Sequence, residues 1–114
     1  MENPFNHYLV RNYEENKPIK DFETIKVYAF GIERIDILIA EINIEKYAIG
    51  YYINFTTGET KIALPNLAQG YAKTKQDAVL FVAGYMLQNA QRFSDEAVAA
   101  LNDTIKRYRQ TKLF

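Results

Sequence analysis

His7 is the only histidine in the chain, Ser94 the only serine, and there is no cysteine. Nucleophiles, general bases and soft metal ligands are therefore few. A Ser–His arrangement would have to join His7, near the start of the chain, to a serine that Asp95 and Glu96 mark as a helix cap, so neither residue is expected to be catalytic. A metal site needs more ligands than one histidine, and the acidic residues never take the spacing of a calcium loop or a divalent-metal motif. Gly50, Gly58, Gly70 and Gly84 are scattered singly and none opens a GxxxxGK pattern, so nucleotide phosphates have no visible cradle. A carboxylate pair working as acid and base would leave no spacing to read. The simpler reading makes Glu33, Asp36, Glu41 and Glu45 solvated residues of strand ends. The expectation is no catalytic residue, no cofactor and no metal.

What remains is binding chemistry. Net charge is zero, yet residues 1–60 carry 6 Lys/Arg against 10 Asp/Glu and residues 61–114 carry 8 against 4, balances of −4 and +4. Such asymmetry marks a basic contact surface or, more commonly, two halves that attract each other once folded. Lys73, Lys75, Lys106, Arg107, Arg109 and Lys112 are the candidates for phosphate contact; for Lys106, Arg107, Arg109 and Lys112 the competing role is to complement the dipole at a helix C-terminus. Nine tyrosines and seven phenylalanines make the chain rich in aromatics. Most of them fill a core, but tyrosine also serves interfaces, and Tyr28, Tyr52 and Tyr71 are the candidates for protein contact.

The elements that must position these residues centre on Tyr47–Leu87. The odd positions Tyr47, Ile49, Tyr51, Ile53 and Phe55 give a strand with one large-residue face. Thr57-Gly58 makes a tight turn, and Thr60 to Leu64 returns as a second strand that Pro65 should end. Asn66–Lys73 then reads as a loop. Thr74 caps a helix whose first turn holds Asp77 and whose body, Ala78 to Leu87, is apolar on almost every side. That run is shorter than the roughly 20 residues of a membrane span. Ala78, Val82, Tyr85 and Met86 should lie against Ile49, Ile53 and Ile62.

Upstream, Asn3-Pro4 fits a helix start, with Phe5, Tyr8, Leu9 and Tyr13 on one face up to about Asn16; an extended arm is the competing reading. Thr24–Ile32 reads as a strand. Ile35–Ile44 fits both a helix and a strand template, and its five isoleucines favour a strand covered on both faces. Downstream, Ser94 caps a last helix with the stripe Ala97, Val98, Leu101, Ile105 and Tyr108.

Around residues 58–87 the order hairpin, Gly70, Lys73-Thr74-Lys75, Ala78 and a small-and-apolar helix resembles the C-terminal part of a double-stranded-RNA-binding domain. It is also similar to the sheet-plus-helix DNA-binding modules of phage integrases. The resemblance covers about a quarter of the chain and implies an αβββα order with phosphate contacts from the basic helix start. Here that start is reduced to Lys75, with Gln76 and Val79 where further lysines would be expected.

The fold expected is a single α+β domain over residues 1–114: a short N-terminal helix, an antiparallel meander of about four strands, and two C-terminal helices on one face. The function expected is a small non-catalytic, cytoplasmic protein-interaction module, with no membrane partner. Small size and the lack of an enzyme pattern suggest an accessory or inhibitor protein of a phage or mobile element. Nucleic-acid binding is the alternative, and a homo-oligomer closed over an aromatic face is a third reading.

Overall fold

A computed structural model of the chain describes residues 3–11, 17–68 and 70–110. It is an α+β fold: one antiparallel sheet with two C-terminal helices. The strands are β1 (Leu9–Val10), β2 (Glu23–Phe30), β3 (Glu33–Asn43), β4 (Lys46–Asn54), β5 (Thr60–Asn66) and β6 (Tyr71–Ala72). The helices are α1 (Lys75–Leu87) and α2 (Asp95–Gln110).

β2 to β5 form the expected four-stranded meander. Gly31 at φ +60° turns β2 into β3 and Gly58 at φ +91° turns β4 into β5, conformations that side chains with a Cβ rarely adopt. The ambiguous isoleucine run is β3, paired along its length with β2 and β4. Its odd positions Ile35, Ile37 and Ile39 are buried beneath the helices, and Asp36, Leu38 and Ala40 are buried on the opposite, outer face. Covering both faces explains why alternation fails there.

Three expectations change. The sheet has six strands rather than about four, because β1 pairs β6 and β6 joins β4 at Tyr47, so a loop expected over 66–73 holds a short strand. The N-terminal helix is only a 3-10 turn over Asn6–Tyr8; Leu9 gains more from burial as a strand opposite Ala72 than a helix rich in asparagine could offer. Tyr13 and the stretch 12–16 lie outside the described residues. Finally, Pro65 does not end β5. Tyr51 pairs Ala63 and Ile49 pairs Asn66, so Leu64 and Pro65 together oppose Gly50 in a bulge, where proline's missing N–H costs no ladder bond. A Cβ on Gly50 would collide with the backbone of residues 63–65. The element order consequently differs from αβββα.

α1 starts as read, with Asp77 N donating to Thr74 Oγ1 at 3.0 Å. Ala78 to Gly84 and Met86 are all buried, since the sheet, α2 and the N-terminal turn surround the helix. From that turn, Asn3 Nδ2 donates to Phe81 O at 2.9 Å, and the missing side chain of Gly84 leaves room for it. In α2, Ala97, Leu101, Thr104 and Ile105 are buried and the polar residues face outward. Ser94 Oγ accepts from Ala97 N at 3.1 Å, as a cap should. Glu33 is no solvated strand end. It is buried, and its carboxylate accepts from Ser94 N at 2.9 Å and from Ser94 Oγ at 2.5 Å, tying β3 to the start of α2.

Candidate functional site

The outer face of the sheet, away from the helices, places side chains in rows set by the register. Lys26, Asp36, Tyr52 and Ile62 stand in one row across β2, β3, β4 and β5. Ala29, Arg34, Asn54 and Thr60 make the next row. Within them the Arg34 guanidinium lies over the Tyr52 ring, 5.3 Å from its centroid, while its Nε donates to Asp36 Oδ2 at 2.8 Å. Thr60 Oγ1 donates to Asn54 Oδ1 at 2.5 Å. Ile62, expected against α1, stands instead beside Tyr52 on this face and is 56% exposed. The period of two decides it: Ala63, not Ile62, shares the helix side with Tyr51. At the adjoining β2–β3 turn Phe30 is 77% and Ile32 60% exposed.

Asp36 is also not a solvated residue. It is 3% exposed, and its Oδ1 is buried with no hydrogen-bond partner. An unpaired buried carboxylate oxygen costs free energy. Glu41 and Glu45 are exposed as expected.

Of the three candidate tyrosines only Tyr52 belongs to these rows. Tyr28 pairs Ile35 and packs against the core on the helix side. Tyr71 sits in β6, at the far end of β4 from Tyr52, with Lys46 Nζ 5.3 Å from its ring centroid. The three tyrosines do not form one patch.

The candidate phosphate contacts gather more closely. Gln76 Nε2 donates to Tyr108 O at 2.8 Å, which brings the start of α1 to the end of α2. Lys75 therefore shares one end of the helical layer with Lys106, Arg107 and Arg109, and exposed Lys73 precedes it in the chain. Several of these cations are engaged. Lys75 Nζ meets Glu23 Oε2 at 2.8 Å, and that hydrogen bond raises the lysine pKa despite some desolvation. Arg107 Nε stands 3.7 Å from Asp103, and Arg109 lies 5.9 Å from the Phe5 ring centroid. Lys112 lies outside the described residues. Lys61 and Arg92 are elsewhere: Lys61 donates to Tyr85 Oη at 3.1 Å, while Arg92 pairs with Glu59 and covers the Phe55 ring at 3.9 Å. The Lys75–Glu23 and Arg92–Glu59 pairs join the basic half of the chain to its acidic half, which accounts for part of the charge asymmetry.

Arg34, Asp36 and Ile62 were not singled out as contact residues from the sequence. Opposite charges at i and i+2 in a strand share a face, so Arg34 and Asp36 carried a readable signal. Ile62 carried none, because its face depends on the register of β5. His7 is exposed with its ring tilted against that of Tyr8, centroids 4.2 Å apart, while Ser94 is committed to Glu33 and the α2 cap. The two are not brought together. Among the described residues no helix is long and apolar enough to cross a membrane, and no three His, Cys, Asp or Glu side chains group as a metal site would require. No family model matches the chain, and neither does any curated protein or solved structure.

Proposed function

We propose that the protein is a non-catalytic interaction module that binds another protein through the outer face of its sheet. The observation that carries this is the row Asp36–Tyr52–Ile62 with Arg34 lying over Tyr52. It joins a half-buried tyrosine and an arginine, types that dominate the energetics of protein interfaces, to an exposed aliphatic residue. Phe30 and Ile32 extend the apolar surface at one end. The setting we propose is the cytoplasm, on a sequence without cysteine, and the role an accessory or inhibitor protein such as a phage or mobile element encodes.

Nucleic-acid binding remains the second reading, favoured by the gathering of Lys75, Lys106, Arg107 and Arg109 at one end. The engagement of Lys75 by Glu23 and of Arg107 by Asp103 weakens it, since each phosphate contact would have to replace an internal one.

A photo-crosslinking side chain at position 52 or at position 106, illuminated in a cell extract, separates the two. The protein reading expects a discrete protein adduct from position 52, lost in an Ile62→Asp variant, and none from position 106. Nucleic-acid adducts from position 106, with nothing from position 52, would overturn it.

A further inference from the structure

The bulge in β5 leaves a second feature on the helix side of the sheet, independent of the outer face. Beside the bulge, where the backbone of residues 63–65 packs close against Gly50, a cavity of about 180 Å³ lies between β4, β5 and α1. Its walls are mostly apolar (Ile49, Gly50, Ala63, Ala68, Phe81 and Val82), and Asn66 among them is bonded to the backbone of Leu64 and Ala68. Two alanines stand where larger residues would have closed the gap. A cavity of roughly 150 Å³ is enough to take benzene, so this one accommodates a compact apolar body.

One side of it is polar. Tyr51 and Tyr85 both line it, their rings stacked with centroids 5.6 Å apart. Lys61 Nζ donates to Tyr85 Oη at 3.1 Å and lies 5.8 and 5.5 Å from the Tyr51 and Tyr85 ring centroids. No carboxylate among the described residues pairs with Lys61. Burial first, and then the neighbouring Tyr85 hydroxyl, push the Tyr51 pKa up to about 12, so Tyr51 keeps its proton. The Lys61 hydrogen bond lowers that of Tyr85 against the effect of its burial. Tyr85 Oη accepts from Lys61, and its own O–H is left to point elsewhere. An ammonium with spare N–H groups and a phenol with a spare proton form an acceptor-seeking edge beside an apolar hole.

We propose that this cavity binds a small monocarboxylate with a compact apolar body, an aryl or branched-chain acid. The body fills the space between Ile49, Ala63, Phe81 and Val82, and the carboxylate accepts from Lys61 and Tyr85. An apolar pocket with a few convergent polar groups is the usual form of a small-molecule site.

The test is a nuclear magnetic resonance titration of the whole protein with benzoate, with acetate as head group alone and toluene as body alone. Benzoate is expected to give saturable shifts at Ile49, Ala63 and Val82, and acetate none. Lys61→Met, a change at an exposed position, should weaken benzoate by about tenfold or more, as loss of a charge-assisted hydrogen bond implies. Ala63→Leu should abolish binding by filling the hole, and if that variant fails to fold, Lys61→Met still decides. Three results would overturn the proposal: no saturable shift at those residues, an unchanged benzoate affinity in Lys61→Met, or toluene binding as tightly as benzoate. None of these bears on binding at the outer face.

Discussion

The two surfaces proposed for a partner differ in how far the fold itself has used them. At the basic end of the helical layer, Lys75 is held by Glu23, Arg107 by Asp103, and Arg109 lies by the Phe5 ring. On the outer face, Ile62 stands exposed beside Tyr52, and Asp36 Oδ1 has no donor. Glu33 and Asp36, three residues apart on β3, show the same contrast within one strand. Glu33 faces the helices with both oxygens satisfied by Ser94, whereas Asp36 faces outward with one oxygen satisfied by Arg34. Charge count alone would direct attention to the basic end. Counting which groups lack partners directs it to the sheet.

Both surfaces hang on the core beneath α1, so the largest effect expected is the loss of both together. Val82→Asp would bury an unpaired charge against the sheet at a cost of several kcal/mol, comparable with the ~5–15 kcal/mol that holds a domain together. Its thermal transition should disappear. A soluble Val82→Asp protein with an unchanged Tm would show the core to be misplaced.

Next in size are the two carboxylates, whose contrast predicts opposite outcomes. Glu33→Ala strips the α2 start of a charged acceptor and should cost ~1.5–3 kcal/mol. Ser94→Ala should cost ~0.5–2 kcal/mol through the lost cap, and the double variant less than the sum because the residues share one interaction. Asp36→Leu removes a half-satisfied buried carboxylate and leaves unpaired only the half-exposed Arg34, so it should be near neutral or stabilising in denaturant titration. Equal losses for Glu33→Ala and Asp36→Leu would erase the contrast.

These carboxylates also mark where the sequence could and could not be read. Thr74 with Asp77, Gly58 in its turn, and the isoleucines of β3 act through their nearest neighbours in the chain, and each was legible. Glu33 and Asp36 read as solvated because charge usually is; what buries them is Ser94, 61 residues away, and the pairing of β3 with strands on both sides. β6 has two residues and no pattern of its own, existing only because β1 and β4 flank it. The bulge at Pro65 was read as a stop, since only pairing with Gly50 shows that proline's missing N–H is not needed. Of the candidate sites, Tyr52 and the basic cluster were legible by residue type, but which tyrosines meet depends on strand register.

The pH dependence sharpens the account at the cavity. Tyr51 holds its proton more tightly folded, so its contribution to stability is complete below pH 10.0, its ordinary value, and is lost as pH rises to about 12. Tyr85, lowered by Lys61, contributes in the opposite sense: above pH 10.0 its share is present, and it is lost as pH falls through the folded value. An alkaline titration followed by tyrosinate absorbance should show Tyr85 ionising early and Tyr51 late. Lys61→Met should remove the early step. A single common step in the native protein would contradict the arrangement.

The smallest expected effect is at the basic end. Lys75→Met removes a partly exposed pair with Glu23 and should change stability by ~0–1 kcal/mol, less at high salt. A larger loss would mean that this pair holds the fold together more than its exposure allows.

The claim that the outer face, and not the basic end, carries binding is tested most directly with a labelled 20-base-pair duplex, titrated with the protein at 50 and 200 mM salt. The account predicts weak binding with a shallow salt slope, unaltered by reversing Lys106, Arg107 and Arg109 to Glu. Tight binding that falls by about 10³ to 10⁵ between the two salt concentrations, as six to ten phosphate contacts would require, and that is lost in the charge-reversed protein, would contradict it.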